Sequence, residues 1–170
     1  MTLSSGPRKA LLAVHLLFSC GWAGMALGYL ALGVAAASSS NTETKRAAWI
    51  AMELTGWFVL VPLAVGSLAS GTWLALGTRW GLFRYYWVIF ALVLTLAATI
   101  VLVLHMPSVS VNATAARSAT PEELQTLGGD LLHPTAGLVL LLTVLFLNVY
   151  KPPGVTPYGW RVQRGRVGSG

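Results

Sequence analysis

Residues 85–106 read YYWVIFALVLTLAATIVLVLHM, a stretch without Asp, Glu, Lys or Arg. Its middle consists almost entirely of Leu, Val, Ala and Ile. Its length matches the roughly 20 residues that an α-helix needs to cross the hydrocarbon core of a bilayer. Because such a helix satisfies its backbone hydrogen bonds internally, it suits a lipid environment. The stretch therefore predicts a transmembrane helix.

Three further apolar runs accompany this one. The predicted spans cover residues 10–37, 47–76, 85–106 and 134–150. The chain of 170 residues is 55% hydrophobic and only 9% charged, whereas soluble domains carry about 25% charged residues. We predict an all-α, polytopic membrane protein with one membrane domain, residues 1–166, built as an antiparallel bundle of four transmembrane helices.

The segments outside the spans have their own patterns. An outer loop is predicted over residues 107–133, and in it Thr120-Pro121-Glu122-Glu123 is typical of a capping box, so we expect a short helix there. Lys151 and the two prolines after it end the fourth helix. A cytoplasmic tail, residues 151–166, is expected to run extended along the headgroups. Residues 167–170, Val-Gly-Ser-Gly, are typical of an added flexible linker.

Small residues and one proline bear on helix packing. Two pairs of small residues stand one helical turn apart, Gly24 and Gly28 in the first helix and Ser67 and Gly71 in the second. Such pairs allow neighbouring helix backbones to approach closely. Pro62 removes one backbone hydrogen bond and is expected to kink the second helix.

Basic residues are distributed unequally between the two ends of the predicted bundle. Four spans place both termini and the loop at 77–84 on one side. That side carries eight of the 11 basic residues, Arg8, Lys9, Arg79, Arg84, Lys151, Arg161, Arg164 and Arg166. The other side carries Lys45, Arg46 and Arg117. This excess predicts a multi-pass protein of the cytoplasmic membrane with both termini cytoplasmic.

The same basic residues bear on the partners of the protein. They flank apolar runs and form no nucleic-acid-binding motif, so no nucleic-acid partner is expected. The expected partner is the lipid bilayer. A second copy of the chain or another subunit of a membrane complex is an open alternative.

Four ionisable residues lie within or at the ends of the predicted spans, where charge is costly and points to function. His105 ends the third helix and His133 begins the fourth, so their side chains can face each other in the outer half of the bundle. Glu53 of the second helix lies in the same half. His15 lies apart, in the cytoplasmic half of the first helix.

The outer group suits three chemistries. His105 and His133 on facing helices could ligate a b-type haem. With the carboxylate of Glu53, the same histidines could hold zinc, copper or another divalent metal. Glu53, between Trp49 and Trp57, could instead take up a proton reversibly. These alternatives stay open beside a purely structural role, and the sequence assigns no catalytic residue.

The first helix also carries a resemblance. His15, Trp22 and Gly24 stand at a spacing that resembles the opening helix of copper-resistance-D-like membrane proteins and of HemJ-type protoporphyrinogen oxidases. The resemblance to HemJ-type proteins implies a haem ligand at His15. Over residues 9–163 the chain resembles a family of uncharacterised small four-helix membrane proteins from actinobacteria. The motifs that carry this resemblance are Glu53-Leu-Thr-Gly-Trp57, Trp80-Gly-Leu-Phe-Arg84 with Tyr86-Trp87, and Val149-Tyr-Lys-Pro152 with Thr156-Pro-Tyr-Gly159.

These observations predict an integral membrane protein that binds a haem or a metal ion for redox chemistry or metal handling. His105 and His133 are the first candidate ligands, and His15 is the candidate that the HemJ-type resemblance implies. The alternatives are a small proton-coupled transporter that uses Glu53 and a non-catalytic membrane subunit or scaffold.

Overall fold

The structure, a computed structural model, describes residues 4–78 and 80–167, with side chains described as far as Arg164. Arg79, the side chain of Arg166 and residues 168–170 of the predicted linker lie outside the described residues. The described elements are α1 (Ser5–Ser38), α2 (Thr42–Thr55), a π-helical turn (Gly56–Leu60), α3 (Val61–Leu76), α4 (Tyr86–Ser118), α5 (Pro121–Thr126), α6 (Leu132–Tyr150) and α7 (Pro157–Val167).

Within the described residues, four helical rods are long and apolar enough to cross a membrane. They are α1, the continuous rod Thr42–Leu76, α4 and α6. Their surface is that of a lipid-facing bundle, since large side chains such as Phe58 and Leu132 remain 76% and 75% exposed. This confirms the predicted all-α fold with four apolar spans and implies contact with a bilayer.

Contacts near the helix ends show that the rods run antiparallel. His15, near the start of α1, is hydrogen-bonded to Ser70, near the end of α3. Gly33, near the other end of α1, lies against Asp130, just before α6 begins. One end of the bundle therefore holds the start of α1 and the end of α6, and the opposite end holds α5.

The α4 helix is longer than the sequence predicts. The predicted span ends at Met106, one residue before Pro107, which cannot donate the helical hydrogen bond to the preceding turn. The helix nevertheless continues to Ser118, with Pro107 inside it. A fully buried stripe at helical spacing explains the continuation, since its packing offsets the lost hydrogen bond. The stripe consists of Met106, Val109, Ala113 and Ala116. The predicted loop 107–133 is reduced to the segment that contains α5.

Pro62 is accommodated by a change of helix type. The five residues Gly56–Leu60 form a π-helical turn, in which the Val61 amide donates to the Gly56 carbonyl, five residues back. A proline ring clashes with the carbonyl of the preceding turn, and a wider turn relieves that clash. A side chain at Gly56 would collide with the Met106 thioether. Glycine at this position therefore lets Met106 of α4 pack closely against the π-helical turn.

The two pairs of small residues, Gly24 with Gly28 and Ser67 with Gly71, differ in their contacts. Nothing lies within 4 Å of a Cβ built on Gly24, so this glycine makes no close helix contact. In contrast, Ser67 is buried, and a Cβ on Gly71 would lie 2.9 Å from the His15 ring. The second pair thus makes room for a histidine of α1, while the first pair has no contact with another helix within 4 Å.

Two short helices outside the spans have side-chain caps. The capping box of α5 is confirmed, because the Thr120 hydroxyl accepts from the Glu123 amide and the Glu123 carboxylate accepts from the Thr120 amide. The tail, predicted to be extended, instead forms α7. Its first turn is capped by Thr156, whose hydroxyl accepts from the Gly159 amide at 3.0 Å.

Candidate metal centre

His105, Asp130 and His133 come together at the end of the bundle that carries α5. Each residue offers one ligand atom, and these atoms lie within 4.8 Å of one another. Asp130 Oδ2 lies 2.6 Å from His105 Nε2, and Asp130 Oδ1 lies 3.1 Å from His133 Nδ1. One carboxylate therefore bridges two imidazole rings from two different helices.

The two imidazole rings are stacked on each other. Their centroids are 3.5 Å apart and their planes differ by 17°. The side chain of Asp130 is 8% exposed, that of His105 17% and that of His133 42%. The nearly buried carboxylate thus holds the group in place. The group is accessible from outside the protein on the side of His133.

Close backbone contact places Asp130 in this position. A Cβ on Gly129 would lie 2.6 Å from the Cβ of Ala37, and it would also collide with the Gly33 carbonyl. A Cβ on Gly33 would in turn collide with the Asp130 carbonyl. Because both positions are glycine, the segment before α6 can lie directly on α1. The Asp130 carboxylate then reaches α4 on one side and α6 on the other.

A cleft of about 300 Å³ adjoins the group. Its lining includes the three ligand candidates together with Trp49, Val109, Asn112 and residues 126–129. Trp49 is 3% exposed, and its indole N–H has no hydrogen-bond partner among the described residues. The cleft therefore combines apolar walls with a few polar groups, as ligand sites commonly do.

The short helix beside the cleft is held by a buried lysine. Lys45 is 4% exposed, and its ammonium donates to the carbonyls of Leu124, Gln125 and Leu127 at 3.3–3.5 Å. These are carbonyls at the C-terminal end of α5, where a cation is favourable. Leu124 is fully buried beneath the helix. The segment that leads to Asp130 is thereby fixed to α2.

Glu53 lies outside this group and has another partner. Its carboxylate accepts from the Arg117 guanidinium, with Oε2 and Nη2 2.5 Å apart. The continuation of α4 beyond Met106 brings Arg117 to Glu53. Trp57, expected beside Glu53, donates instead to the Ser110 hydroxyl at 3.0 Å. The carboxylate beside the histidines is Asp130, so this geometry gives no support to Glu53 as a metal ligand.

His15 belongs to a separate polar network. Its Nδ1 lies 3.1 Å from the Ser70 hydroxyl and its Nε2 3.5 Å from the Ser19 hydroxyl, which in turn lies 2.8 Å from that of Ser67. From residue 15 to residue 33, α1 rises about 27 Å at 1.5 Å per residue. His15 therefore cannot share a small site with Asp130, and its contacts are those of a histidine that joins two helices.

Sequence reasoning identified the two histidines of the group but missed Asp130 as their partner. A signal was present, because Asp130 and His133 stand three residues apart at the start of a helix, where such side chains can meet. The contact of Gly33 with Gly129 had no comparable signal, since it depends on how two distant segments pack.

Comparison of the chain with protein-family models, with curated proteins and with solved structures gave no match. The fold and the site define the class as a four-helix integral membrane protein with a His/Asp/His group that could hold a metal ion. The resemblances to copper-resistance-D-like, HemJ-type and small actinobacterial membrane proteins stay sequence-based predictions.

Proposed function

We propose that this protein is a membrane-embedded metal-binding protein in which His105, Asp130 and His133 hold one divalent transition-metal ion. The observation that carries the proposal is the convergence of three ligand-type atoms within 4.8 Å. Imidazole nitrogen and carboxylate oxygen together are typical ligands of zinc, and imidazole also suits copper, iron and nickel.

The hydrogen-bonded arrangement is compatible with metal entry. His105 Nε2 and His133 Nδ1 both face the Asp130 carboxylate. These are the atoms that would bind an ion, and metal binding requires imidazole nitrogens without a proton. Binding of one metal ion would thus release the protons that the two imidazole rings and the carboxylate share in hydrogen bonds.

The number and exposure of the ligands favour reversible binding. Structural zinc sites have four protein ligands, whereas sites with three leave one position for water or another molecule. The described group supplies three, and His133 is 42% exposed beside the cleft. We therefore place the function in metal handling at one face of the membrane, where an ion can enter and leave.

The geometry supports a metal ion better than a haem. A haem held by two axial histidines lies between their rings. The rings of His105 and His133 are in direct contact, with centroids 3.5 Å apart. The adjoining cleft of about 300 Å³ is at the lower limit of small-molecule sites. Proton-coupled transport through Glu53 and a scaffold role stay predictions that no particular contact favours.

Metal titration of the purified full-length protein tests the proposal. After treatment with a chelator, the protein in detergent is titrated with Zn²⁺ by calorimetry, with bound metal counted by elemental analysis. We expect one ion per chain, lost in His105→Ala and in His133→Ala. The matched control is His15→Ala, which removes the same side chain far from the site and should bind normally. Absence of bound metal in the wild type, or full binding in both site variants, would refute the proposal.

A further inference from the structure

The two halves of the bundle differ in charge. All five carboxylates lie in the half that holds the candidate metal centre, and they are Glu43, Glu53, Glu122, Glu123 and Asp130. The opposite end has no Asp or Glu within the described ranges, 4–78 and 80–167. Exposed cations at that end are Arg8, Lys9, Lys151, Arg161 and Arg164. This end therefore presents an almost purely positive surface.

The α7 helix is fixed at this basic end. The Thr156 amide donates to the Arg84 carbonyl at 3.0 Å, and the Thr156 hydroxyl donates to the Phe83 carbonyl at 2.6 Å. The Tyr86 amide donates to the Gly154 carbonyl at 3.2 Å. These bonds tie the start of α7 to the loop before α4. Because α4 and α6 have their ends here, α7 lies at the level where the apolar spans stop.

The outward face of α7 combines aromatic and basic side chains. Tyr158 and Trp160 are each 54% exposed, and Arg161 and Arg164 are exposed as well. Tyr158 and Arg161 are three residues apart, and Trp160 and Arg164 are four apart, so each pair lies on one side of the helix. Gly159 is buried on the inner side, against the backbone of Arg84.

We propose that the outward face of α7, with Tyr158, Trp160, Arg161 and Arg164, binds the anionic phospholipid headgroups of the bilayer that surrounds the protein. Tyr and Trp are favoured at headgroup level because they are both apolar and polar. Guanidinium groups bind phosphate through paired hydrogen bonds, and basic residues near a membrane are attracted to anionic lipid.

Charge alone would also suit an acidic soluble protein, but two features favour lipid. The arginines share this face with exposed aromatic rings, which add apolar contact that a headgroup region accommodates. The helix also lies beside the ends of the spans, where the bilayer surface is already present. The binding surface and its ligand are therefore adjacent without any further assembly.

Lipid retention by the full-length protein tests this inference. The protein in detergent is titrated with phosphatidylglycerol or phosphatidylcholine, and bound lipid is counted by native mass spectrometry. We expect a preference for phosphatidylglycerol that is about 30-fold weaker in the double variant R161Q/R164Q, as the loss of two basic residues near an anionic surface predicts. The double variant R8Q/K9Q removes the same charge at the same end of the bundle and should keep most of the preference.

Two outcomes would overturn the inference. Equal losses in both double variants would show that the preference follows net charge and does not belong to α7. Equal retention of the two lipids by the wild type would show that the α7 face does not select anionic lipid. An acidic protein would then be the better candidate partner. Neither outcome depends on metal binding, so the inference and the proposed function can fail separately.

Discussion

Asp130 lies between two imidazole rings and contacts each through a different carboxylate oxygen, at 2.6 and 3.1 Å. Its side chain is 8% exposed, so this carboxylate has little contact with solvent. A buried charge is stable only with close partners. The two histidines provide these partners, so removal of either one leaves an oxygen of the nearly buried carboxylate without its partner.

The substitution Asp130→Asn tests the carboxylate as a ligand. It keeps the shape of the side chain but removes the charge that favours a divalent cation. We expect Zn²⁺ affinity to fall by at least the roughly 10- to 100-fold that loss of a supporting residue costs at a metal site. Calorimetric titration of the purified protein measures the change.

Glu53→Gln is the matched control for this substitution. It makes the same chemical change at a carboxylate in the same half of the bundle, but one that is paired with Arg117. We expect its Zn²⁺ affinity to equal that of the wild type. If Glu53→Gln weakened binding and Asp130→Asn did not, the ligand set predicted from the sequence, with Glu53, would be the better description.

Lys45 shows why single residues were harder to predict than helices. The charge distribution in the sequence predicts only that Lys45 is one of three basic residues on the outer side of the bundle. The structure shows it buried, with its ammonium on the carbonyls that end α5. A buried lysine with carbonyl partners has the same sequence signature as an exposed one, because the partners lie about 80 residues away along the chain.

Among the elements, the segment between α5 and α6 is the one that determines the site. It is pressed onto α1 through glycines at both contact points, Gly33 and Gly129. A contact of this kind holds a backbone more firmly than a side-chain contact does, because backbone atoms cannot change rotamer. The position of Asp130 relative to α4 therefore depends on this contact.

The substitution Gly129→Ala should loosen that contact. The added Cβ would lie 2.6 Å from the Ala37 Cβ and 2.8 Å from its amide nitrogen, so the segment must shift. We expect a loss of about 1–3 kcal/mol in stability, as overpacking typically causes. We also expect weaker Zn²⁺ binding, because Asp130 moves with the segment. Thermal unfolding in detergent and metal titration measure the two effects.

Gly137→Ala provides the comparison for this substitution. Nothing lies within 4 Å of a Cβ built on Gly137, and the residue is inside α6. Alanine is favoured over glycine within a helix by about 0.5–1 kcal/mol. We expect an unchanged or slightly raised unfolding temperature and normal metal binding. Equal effects of the two substitutions would contradict the importance of the contact.

Helix identity was predictable from the sequence, whereas helix ends were not. Runs of Leu, Val and Ile of spanning length specify transmembrane helices almost regardless of context, and the four predicted rods are present. The predicted span stops at Met106, where the strongly apolar run ends, whereas the helix continues to Ser118 because the stripe from Met106 to Ala116 packs against other helices. The π-helical turn at Gly56–Leu60 was missed as well, because Pro62 indicates a distortion of the helix but does not specify its type.

On the scale of the whole molecule, the two ends of the bundle have different chemistry. One end carries the carboxylates and the candidate metal centre, and the other carries exposed cations and the α7 helix. Topology predicted from the sequence assigns eight of the 11 basic residues to the side of the termini, and this distribution predicts a cytoplasmic location for that side. The candidate metal centre would then face the opposite side of the membrane.

Reporter fusions test this orientation. A fluorescent protein that folds only in the cytoplasm is fused to the N-terminus or to the C-terminus, and whole-cell fluorescence is measured. We expect both fusions to fluoresce, because both termini lie at the basic end. A fusion inserted in the segment before α5 should be dark. Dark terminal fusions would mean that the metal centre faces the cytoplasm instead.

X-ray absorption spectroscopy of the Zn²⁺-loaded full-length protein tests the central claim most directly, because it reports the atoms around the ion. We predict scattering from two imidazole rings and from carboxylate oxygen at distances of about 2.0–2.2 Å. Because His105→Ala and His133→Ala are expected to bind no zinc, their zinc signal should be lost, whereas His15→Ala should give the wild-type spectrum. Bound zinc without imidazole scattering, or a spectrum unchanged in both site variants, would contradict a metal centre at His105, Asp130 and His133.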